Sequence, residues 1–134
     1  MSFIEKFGPL IGRVLIALLF VPEGFSKVTN FSGTVDYITA NGLPMPQVLA
    51  AAAIVIEIGA GLALLIGIGA RWAALVLCVF SLLTAFLFHK FWAAPAAEQM
   101  MQSLNFYKDL AIAGGLLFIT VFGAGPVSAD SRAE

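Results

Sequence analysis

Long apolar runs separated by short polar links dominate this chain. A helix needs about 20 mainly apolar residues to cross the hydrocarbon core of a bilayer. Four stretches meet or approach that length, and we predict membrane-spanning helices at about residues 8–27, 47–69, 72–91 and 105–122. The pattern predicts an all-α membrane protein, built as one domain over residues 1–134 in which four transmembrane helices form an antiparallel bundle.

The links between these stretches set the expected topology. Residues 67–71 are too few for anything but a tight return, so the second and third helices should be antiparallel neighbours. The two longer links, residues 28–46 and 92–103, contain the Pro and Gly residues that interrupt helices. With four crossings, both longer links lie on one side of the membrane, called here the link side. Both termini and the 67–71 turn lie on the other, the terminal side.

The distribution of Lys and Arg predicts the orientation, because cytoplasmic loops carry an excess of these residues. The terminal side has four such residues and the link side three: Lys6, Arg13, Arg71 and Arg132 against Lys27, Lys90 and Lys108. This small bias favours cytoplasmic termini. The first helix should be retained rather than cleaved as a signal peptide, because Arg13 interrupts its apolar run.

Composition narrows the functional classes. The chain is 60% hydrophobic and only 11% charged, against about 25% charged residues in ordinary soluble domains. Its 134 residues leave no room for a separate soluble catalytic unit, so any chemistry must use membrane-embedded side chains or a partner. A net charge of -1 provides no basic field for nucleic acid. Cys78 is the only cysteine, which excludes an internal disulfide or a thiol pair. The chain has a single His, and no set of metal-ligating residues stands out.

Charges at bilayer depth are the best candidates for function, because burying one costs about 2.5–3.5 kcal/mol or more. At about 100° per residue, Arg13, Glu23 and Lys27 lie on one face of the first helix. Glu57 is the deepest charge, about 15 Å into its helix. We therefore predict one polar cluster in the link-side half of the bundle, made by Glu23, Lys27, Glu57, His89, Lys108 and Asp109. Arg13 lies nearer the terminal side, as an anchor or a group that reaches toward Glu57.

Each of these residues also has a structural interpretation. Lys27 and Lys108 could extend to the head groups, and His89 could be an interfacial side chain without a proton-transfer role. Glu57 could form a structural ion pair or remain a protonated, hydrogen-bonded acid. The residue pattern alone leaves these alternatives open.

Nearly the whole chain resembles the DoxX family of small bacterial membrane proteins. The resemblance is carried by the order and spacing of Arg13, Gly24–Lys27, Glu57–Leu62, Gly67, Arg71, His89, Lys108 and Gly123–Asp130. It implies a four-helix bundle in the bacterial inner membrane. The family takes its name from a subunit of a thiosulfate:quinone oxidoreductase, and other members resemble partners of redox proteins. Five of our candidates match its recurrent polar positions: Arg13, Lys27, Glu57, His89 and Lys108. Glu23 and Asp109 are candidates only because of their angular position on the helix and their estimated depth.

The leading hypothesis is a membrane subunit that offers a quinone site to an oxidoreductase. Glu57, His89 and Lys108 would be its catalytic groups, and Arg13, Glu23, Lys27 and Asp109 would complete the polar cluster. Quinone reduction needs protons at two carbonyl oxygens, which a His or carboxyl group beside a Lys can deliver. The sequence predicts no intrinsic cofactor except a bound quinone, so electrons would come from a redox protein partner.

Two other classes of function remain open. A small proton-linked transporter or channel would use Glu57 as its protonatable group, and a second copy of the chain would then be a natural partner. The two halves do not look alike, however, because Gly114 and Gly115 occupy the middle of the fourth helix. An anchor or assembly protein for a soluble enzyme would use its buried charges only for specific packing.

Overall fold

A computed structural model describes residues 1–133, and every regular element in that range is helical. The elements are α1 (Phe3–Thr29), α2 (Phe31–Ala40), α3 (Pro46–Val55), a π-helical turn (Ile56–Ala60), α4 (Gly61–Ile66), α5 (Ala70–Phe88), a 3₁₀ turn (Phe91–Ala93), α6 (Gln99–Phe122) and α7 (Ala129–Ala133). The predicted all-α class is confirmed. Residue 134, the last of the predicted domain, lies outside the described residues.

In the described part of the chain, three segments are long and apolar enough to cross a membrane: Pro46–Ile66, Ala70–Ala93 and Gln99–Phe122. They correspond to the second, third and fourth predicted spans. Helix α1 has 27 residues, enough length to cross, but it carries five charged side chains: Glu5, Lys6, Arg13, Glu23 and Lys27. The predicted count of four crossings is therefore not confirmed.

Helix α1 begins earlier than predicted because its first turn is capped. Ser2 Oγ accepts a hydrogen bond from the Glu5 backbone N–H at 3.2 Å, and the Glu5 carboxylate accepts one from the Ser2 N–H at 3.1 Å. This reciprocal capping satisfies two backbone donors that a helix start otherwise leaves free. The polar residues that precede the apolar run therefore belong to α1.

The link at residues 28–46 was predicted as a turn region, and the structure shows that it contains α2. Ile38 of this helix is buried, and the Tyr37 ring stacks on Phe88 with the ring centroids 5.3 Å apart. Ten residues are too few to give a clear helical period, which is why the pattern of apolar positions missed the helix. Helix α2 packs mainly against α3, and its Tyr37 reaches the end of α5.

Helix α1 packs along the α3–π–α4 segment in the antiparallel direction, with Arg13 against Leu64 and Lys27 against Glu57. Two glycines allow the close approach. A Cβ atom on Gly24 would lie 2.5 Å from Ile58 Cγ1, and one on Gly61 would lie 2.9 Å from Val21 Cγ2. Small residues at helix contacts in membranes have this effect.

The core lies where α1, α4, α5 and α6 meet. Its buried members are Phe20, Leu64, Ala74, Leu77, Cys78, Ala113 and Leu116. Cys78 is 2% exposed and lies 3.5 Å from the Ala113 carbonyl oxygen, so it packs as a small apolar side chain. This core holds the helices whose polar residues form the sites described next.

Candidate functional site

The first polar cluster joins α1 to the π-helical turn. Lys27 Nζ lies 3.0 Å from both carboxylate oxygens of Glu57, whose side chain is only 5% exposed. Glu23 lies 3.8 Å from Lys27 Nζ, but its side chain is 59% exposed. Glu57 is thus a buried acid with a close cationic partner, and Glu23 is a peripheral member.

Glu57 belongs to the π-helical turn, where the regular helical hydrogen bonding between α3 and α4 is interrupted. Such turns are rare and occur frequently at functional sites. Gly24 faces this turn, because a Cβ there would lie 3.2 Å from Glu57 Cβ. The glycine brings α1 close enough for Lys27 to reach the carboxylate.

The second polar cluster joins the end of α5 to α6. His89 Nε2 lies 3.6 Å from Asp109 Oδ2, and His89 Nδ1 lies 2.8 Å from Gln102 Oε1. Thr84 Oγ1 donates a hydrogen bond to the same Asp109 oxygen at 3.3 Å. The side chains of His89 and Asp109 are 22% and 20% exposed, so the pair is shielded but reachable. The contact between Nδ1 and Gln102 orients the ring so that Nε2 faces Asp109.

Aromatic rings surround the same end of the bundle. Phe91, Trp92, Phe106 and Tyr107 form edge-to-face and tilted pairs with centroids 5.2–5.9 Å apart. A surface groove of about 520 Å³ lies beside them, lined by Phe91, Trp92, Gln99, Met100 and Ser103. Its α6 wall, residues 99, 100 and 103, lies in the same helical turn as Gln102, the hydrogen-bond partner of His89, although neither His89 nor Asp109 lines the groove. The groove is therefore adjacent to the second cluster.

Arg13 lies at the opposite end of the bundle and does not reach Glu57. Its side chain is 1% exposed, and its guanidinium donates to the carbonyl oxygens of Leu64 and Leu65 at 3.0 Å and of Val127 at 2.5 Å. Arg13 Nε has no hydrogen-bond partner within residues 1–133. The carbonyl groups at a helix C-terminus carry partial negative charge, so Arg13 caps α4 and joins it to the C-terminal segment.

Asp130 completes this terminal-side contact. Its two carboxylate oxygens accept hydrogen bonds from the backbone N–H groups of Gly69 and Ala70 at 2.8 and 2.9 Å. The Asp130 N–H donates to the Gly67 carbonyl oxygen at 2.8 Å. The C-terminal segment thus caps the start of α5, as an N-cap side chain would.

Lys108 lies on the exposed face of α6, and within residues 1–133 no carboxylate forms an ion pair with it. Neighbouring helical residues point about 100° apart, so Asp109 and Lys108 cannot both face His89. The predicted single cluster is therefore divided. Lys27 and Glu57 meet with Glu23 at their edge, His89 meets Asp109, and Arg13 and Lys108 belong to neither group.

Sequence reasoning missed three polar contributors: Thr84, Gln102 and Asp130. Thr84 lies within an apolar span, and Gln102 lies in a stretch predicted to be a link. The sequence indicates Asp130 only as the last residue of the Gly123–Asp130 motif and predicts no contact for it. One signal was available, since residues 102, 106 and 109 follow a helical period that extends α6 toward its observed start at Gln99.

Residues 8–90 of the chain match the family model named DoxX. Inner membrane protein YqjF of Escherichia coli (strain K12) is 40% identical over 133 residues, which cover 97% of this chain and 95% of that protein. Inner membrane protein YphA of the same organism is 34% identical over 123 residues, which cover 92% and 88%. No solved structure matches the chain.

The family match includes Arg13, Lys27, Glu57 and His89, and it ends before Asp109. The two relatives cover 97% and 92% of this chain. Together with the three apolar spans, these similarities make the chain an integral membrane protein, and it belongs to the DoxX family.

Proposed function

We propose that the chain is an inner-membrane subunit of a quinone-linked oxidoreductase, and that the His89–Asp109 pair exchanges protons with the quinone head group. The observation that carries this proposal is the position of His89, held between Gln102 and Asp109 beside an aromatic groove. The inner-membrane relatives support the location. The redox role rests on the chemistry of the site.

Quinone reduction takes up two electrons and two protons, one proton at each carbonyl oxygen. His89 is the only histidine in the sequence, and an imidazole can both donate and accept a proton. Asp109, 3.6 Å away, stabilises the imidazolium, which gives one proton to a carbonyl oxygen and is reprotonated from water before it gives the second. The electrons come from a redox protein partner, and this chain supplies the binding site and the protons.

The aromatic groove suits the flat ring of a quinone. Aromatic side chains stack on or edge-pack against planar rings, and Phe91 and Trp92 line the groove. Gln99 and Ser103 add hydrogen-bonding groups on the α6 wall, three residues before and one residue after the His89 partner Gln102. A head group in the groove would contact aromatic surface on one side and polar groups on the other.

The proposal includes a fourth crossing by α1. This helix packs antiparallel to the apolar segment Pro46–Ile66, from Arg13 beside Leu64 to Lys27 beside Glu57. A helix that follows a spanning helix over that length shares its depth in the bilayer. With cytoplasmic termini, as the Lys and Arg distribution favours, the His89 site lies toward the outer face of the membrane.

Fluorescence of Trp92 tests the proposal, because this groove residue is one of only two tryptophans. In a Trp72→Phe background, decylubiquinone is titrated into the full-length protein in nanodiscs. We expect saturable quenching of Trp92, and an apparent affinity that falls about tenfold in His89→Gln, the effect of losing one charged hydrogen bond. Lys90→Gln, an exposed neighbour, is the matched control.

Three results would contradict the proposal. One is quenching that never saturates, and another is equal quenching of Trp72 in a Trp92→Phe protein. The third is an unchanged affinity in a folded His89→Gln variant. Size-exclusion chromatography and thermal unfolding show whether each variant is folded.

Glu57 favours a second candidate, proton-linked transport, because it is a buried acid in an interrupted helix. In proteoliposomes with a pH-sensitive dye, a transporter would lose proton flux in Glu57→Gln. If that variant retains both flux and quinone binding, Lys27–Glu57 is a packing contact. If quinone binding is also absent from the unsubstituted protein, the anchor hypothesis becomes the better account.

A further inference from the structure

A second groove lies on the terminal side, between the start of α5 and the end of α6. Its volume is about 550 Å³, and its walls include Arg71, Trp72, Phe122, Gly123 and Asp130. It lies at the ends of the spans Ala70–Ala93 and Gln99–Phe122. The groove is therefore at the level where hydrocarbon gives way to head groups.

The fold fixes the guanidinium of Arg71 in this groove. Arg71 Nη1 donates to the carbonyl oxygen of Val121 in the last turn of α6. The guanidinium also lies over Gly123, where a Cβ atom would be 3.2 Å from Nη2. Gly123 has a positive φ of 87°, so the backbone turns away at this point and leaves room for the planar group.

Most of the hydrogen-bonding capacity of Arg71 remains available. An arginine has five N–H donors, and the bond to Val121 uses one of them. No carboxylate within residues 1–133 forms an ion pair with Arg71. The guanidinium is thus a fixed cation with several donors, a geometry that suits bidentate binding of a phosphate.

Within residues 1–133, Asp130 is the one acidic residue in the wall of this groove. Both of its oxygens accept backbone N–H groups at the start of α5, from Gly69 and Ala70. The positive end of the helix dipole offsets part of its charge. The Asp130 carboxylate is therefore already hydrogen-bonded, and its repulsion of an anion bound by Arg71 is reduced.

Apolar surface continues from the groove toward the bilayer. Trp72 and Phe122 are each 74% exposed, and Val121 is 60% exposed. Exposed Trp is typical of the membrane interface, where its ring lies at the level of the head groups. A ligand bound here can place a charged group on Arg71 and its hydrocarbon along Trp72 and Phe122.

We propose that this groove binds the phosphodiester head group of an anionic glycerophospholipid, with Arg71 as the phosphate ligand. The site is distinct from the link-side groove beside His89, and the proposal does not depend on the quinone hypothesis. A fixed guanidinium, an interfacial tryptophan and adjoining apolar surface together match the parts of such a lipid.

The test uses full-length protein in phosphatidylcholine nanodiscs, with phosphatidylglycerol titrated in and binding measured by native mass spectrometry. We expect saturable retention of phosphatidylglycerol, and about a fivefold loss of affinity in Arg71→Gln, from the typical effect of one basic residue at an anionic membrane surface. Arg132→Gln is the matched control, because it removes the same charge on the same side outside the groove wall. Arg71→Lys keeps the charge without the planar fork and should be intermediate.

Equal losses in Arg71→Gln and Arg132→Gln would overturn the proposal in favour of diffuse attraction. Competition by inorganic phosphate without lipid preference would also overturn it, because the site would then bind free phosphate. If Arg71→Gln fails to fold, the phosphatidylglycerol affinity of Arg71→Lys becomes the test. An unchanged affinity in that folded variant contradicts bidentate binding.

Discussion

At the terminal end of the bundle, Arg13 is buried and contacts three backbone carbonyl groups. At the link end, Glu57 is buried against Lys27, and His89 lies beside Asp109. At both ends the buried polar groups have close polar partners, but the partners differ in chemical type. Backbone carbonyls do not titrate, so the Arg13 contact contributes stability. Carboxylates and an imidazole can exchange protons, so we propose that the link end carries the chemistry.

Removing Arg13 should have the largest effect on stability. Arg13→Met keeps the side-chain bulk but leaves buried carbonyl groups without a donor, at a cost of about 3 kcal/mol or more. We expect the largest fall in the thermal unfolding midpoint of the purified protein, with intact Trp92 quenching in whatever fraction folds. Lys6→Gln, an exposed position on the same helix, is the control. A midpoint equal to that of the control would remove Arg13 from its assigned role.

Breaking the Lys27–Glu57 pair should have a smaller effect. Lys27→Met leaves Glu57 buried without its cation, which costs about 2 kcal/mol, the typical contribution of a hydrogen bond to a charged group. The double variant Lys27→Met, Glu57→Gln should recover part of the lost stability, because no uncompensated charge remains. Glu23→Gln is the control, since that exposed carboxylate should contribute less than 1 kcal/mol.

The unfolding midpoints of the unsubstituted protein, Lys27→Met, Glu57→Gln and the double variant form a double-mutant cycle. Additive losses in the double variant would mean that the two side chains do not interact, and would contradict the contact described for this end.

A methyl group at Gly24 should have the smallest of these effects. Gly24→Ala places a Cβ 2.5 Å from Ile58 Cγ1, so Ile58 must shift, and overpacking of this kind costs about 1 kcal/mol or more. Gly12→Ala on the same helix is the matched control, because its Cβ would meet nothing within 4 Å. The unfolding midpoint should fall only for Gly24→Ala. Equal midpoints would contradict the close approach of α1 to the π-helical turn.

The helical class and the three long apolar spans could be predicted because a bilayer demands long apolar helices, a signal visible in the sequence alone. The cost of isolated charges at depth predicted that Lys27 and Glu57 would lie in one cluster, but it did not single them out as a pair. The spacing of about 100° per residue placed Arg13 and Lys27 on one face of α1. Both residues contact the neighbouring α3–π–α4 segment. Their separation along the helix then directs them to opposite ends.

Other features could not be predicted for physical reasons. Every helix ends in free carbonyl groups, so the sequence does not single out those of α4 as the partners of Arg13. Helix α2 is too short to show a period, and the facing direction of Lys108 depends on how α6 packs against α5. The π-helical turn at Glu57 has no pattern that separates it from the α-helices on either side.

The most direct test of the central claim, that the link end is the chemical end, uses the single histidine of the chain. Protein with isotope-labelled histidine shows imidazole signals from His89 alone. The account predicts that these signals shift when decylubiquinone is added, and that Asp109→Asn changes them while Lys6→Gln does not. Imidazole signals that stay constant at quinone concentrations that saturate Trp92 quenching would contradict it.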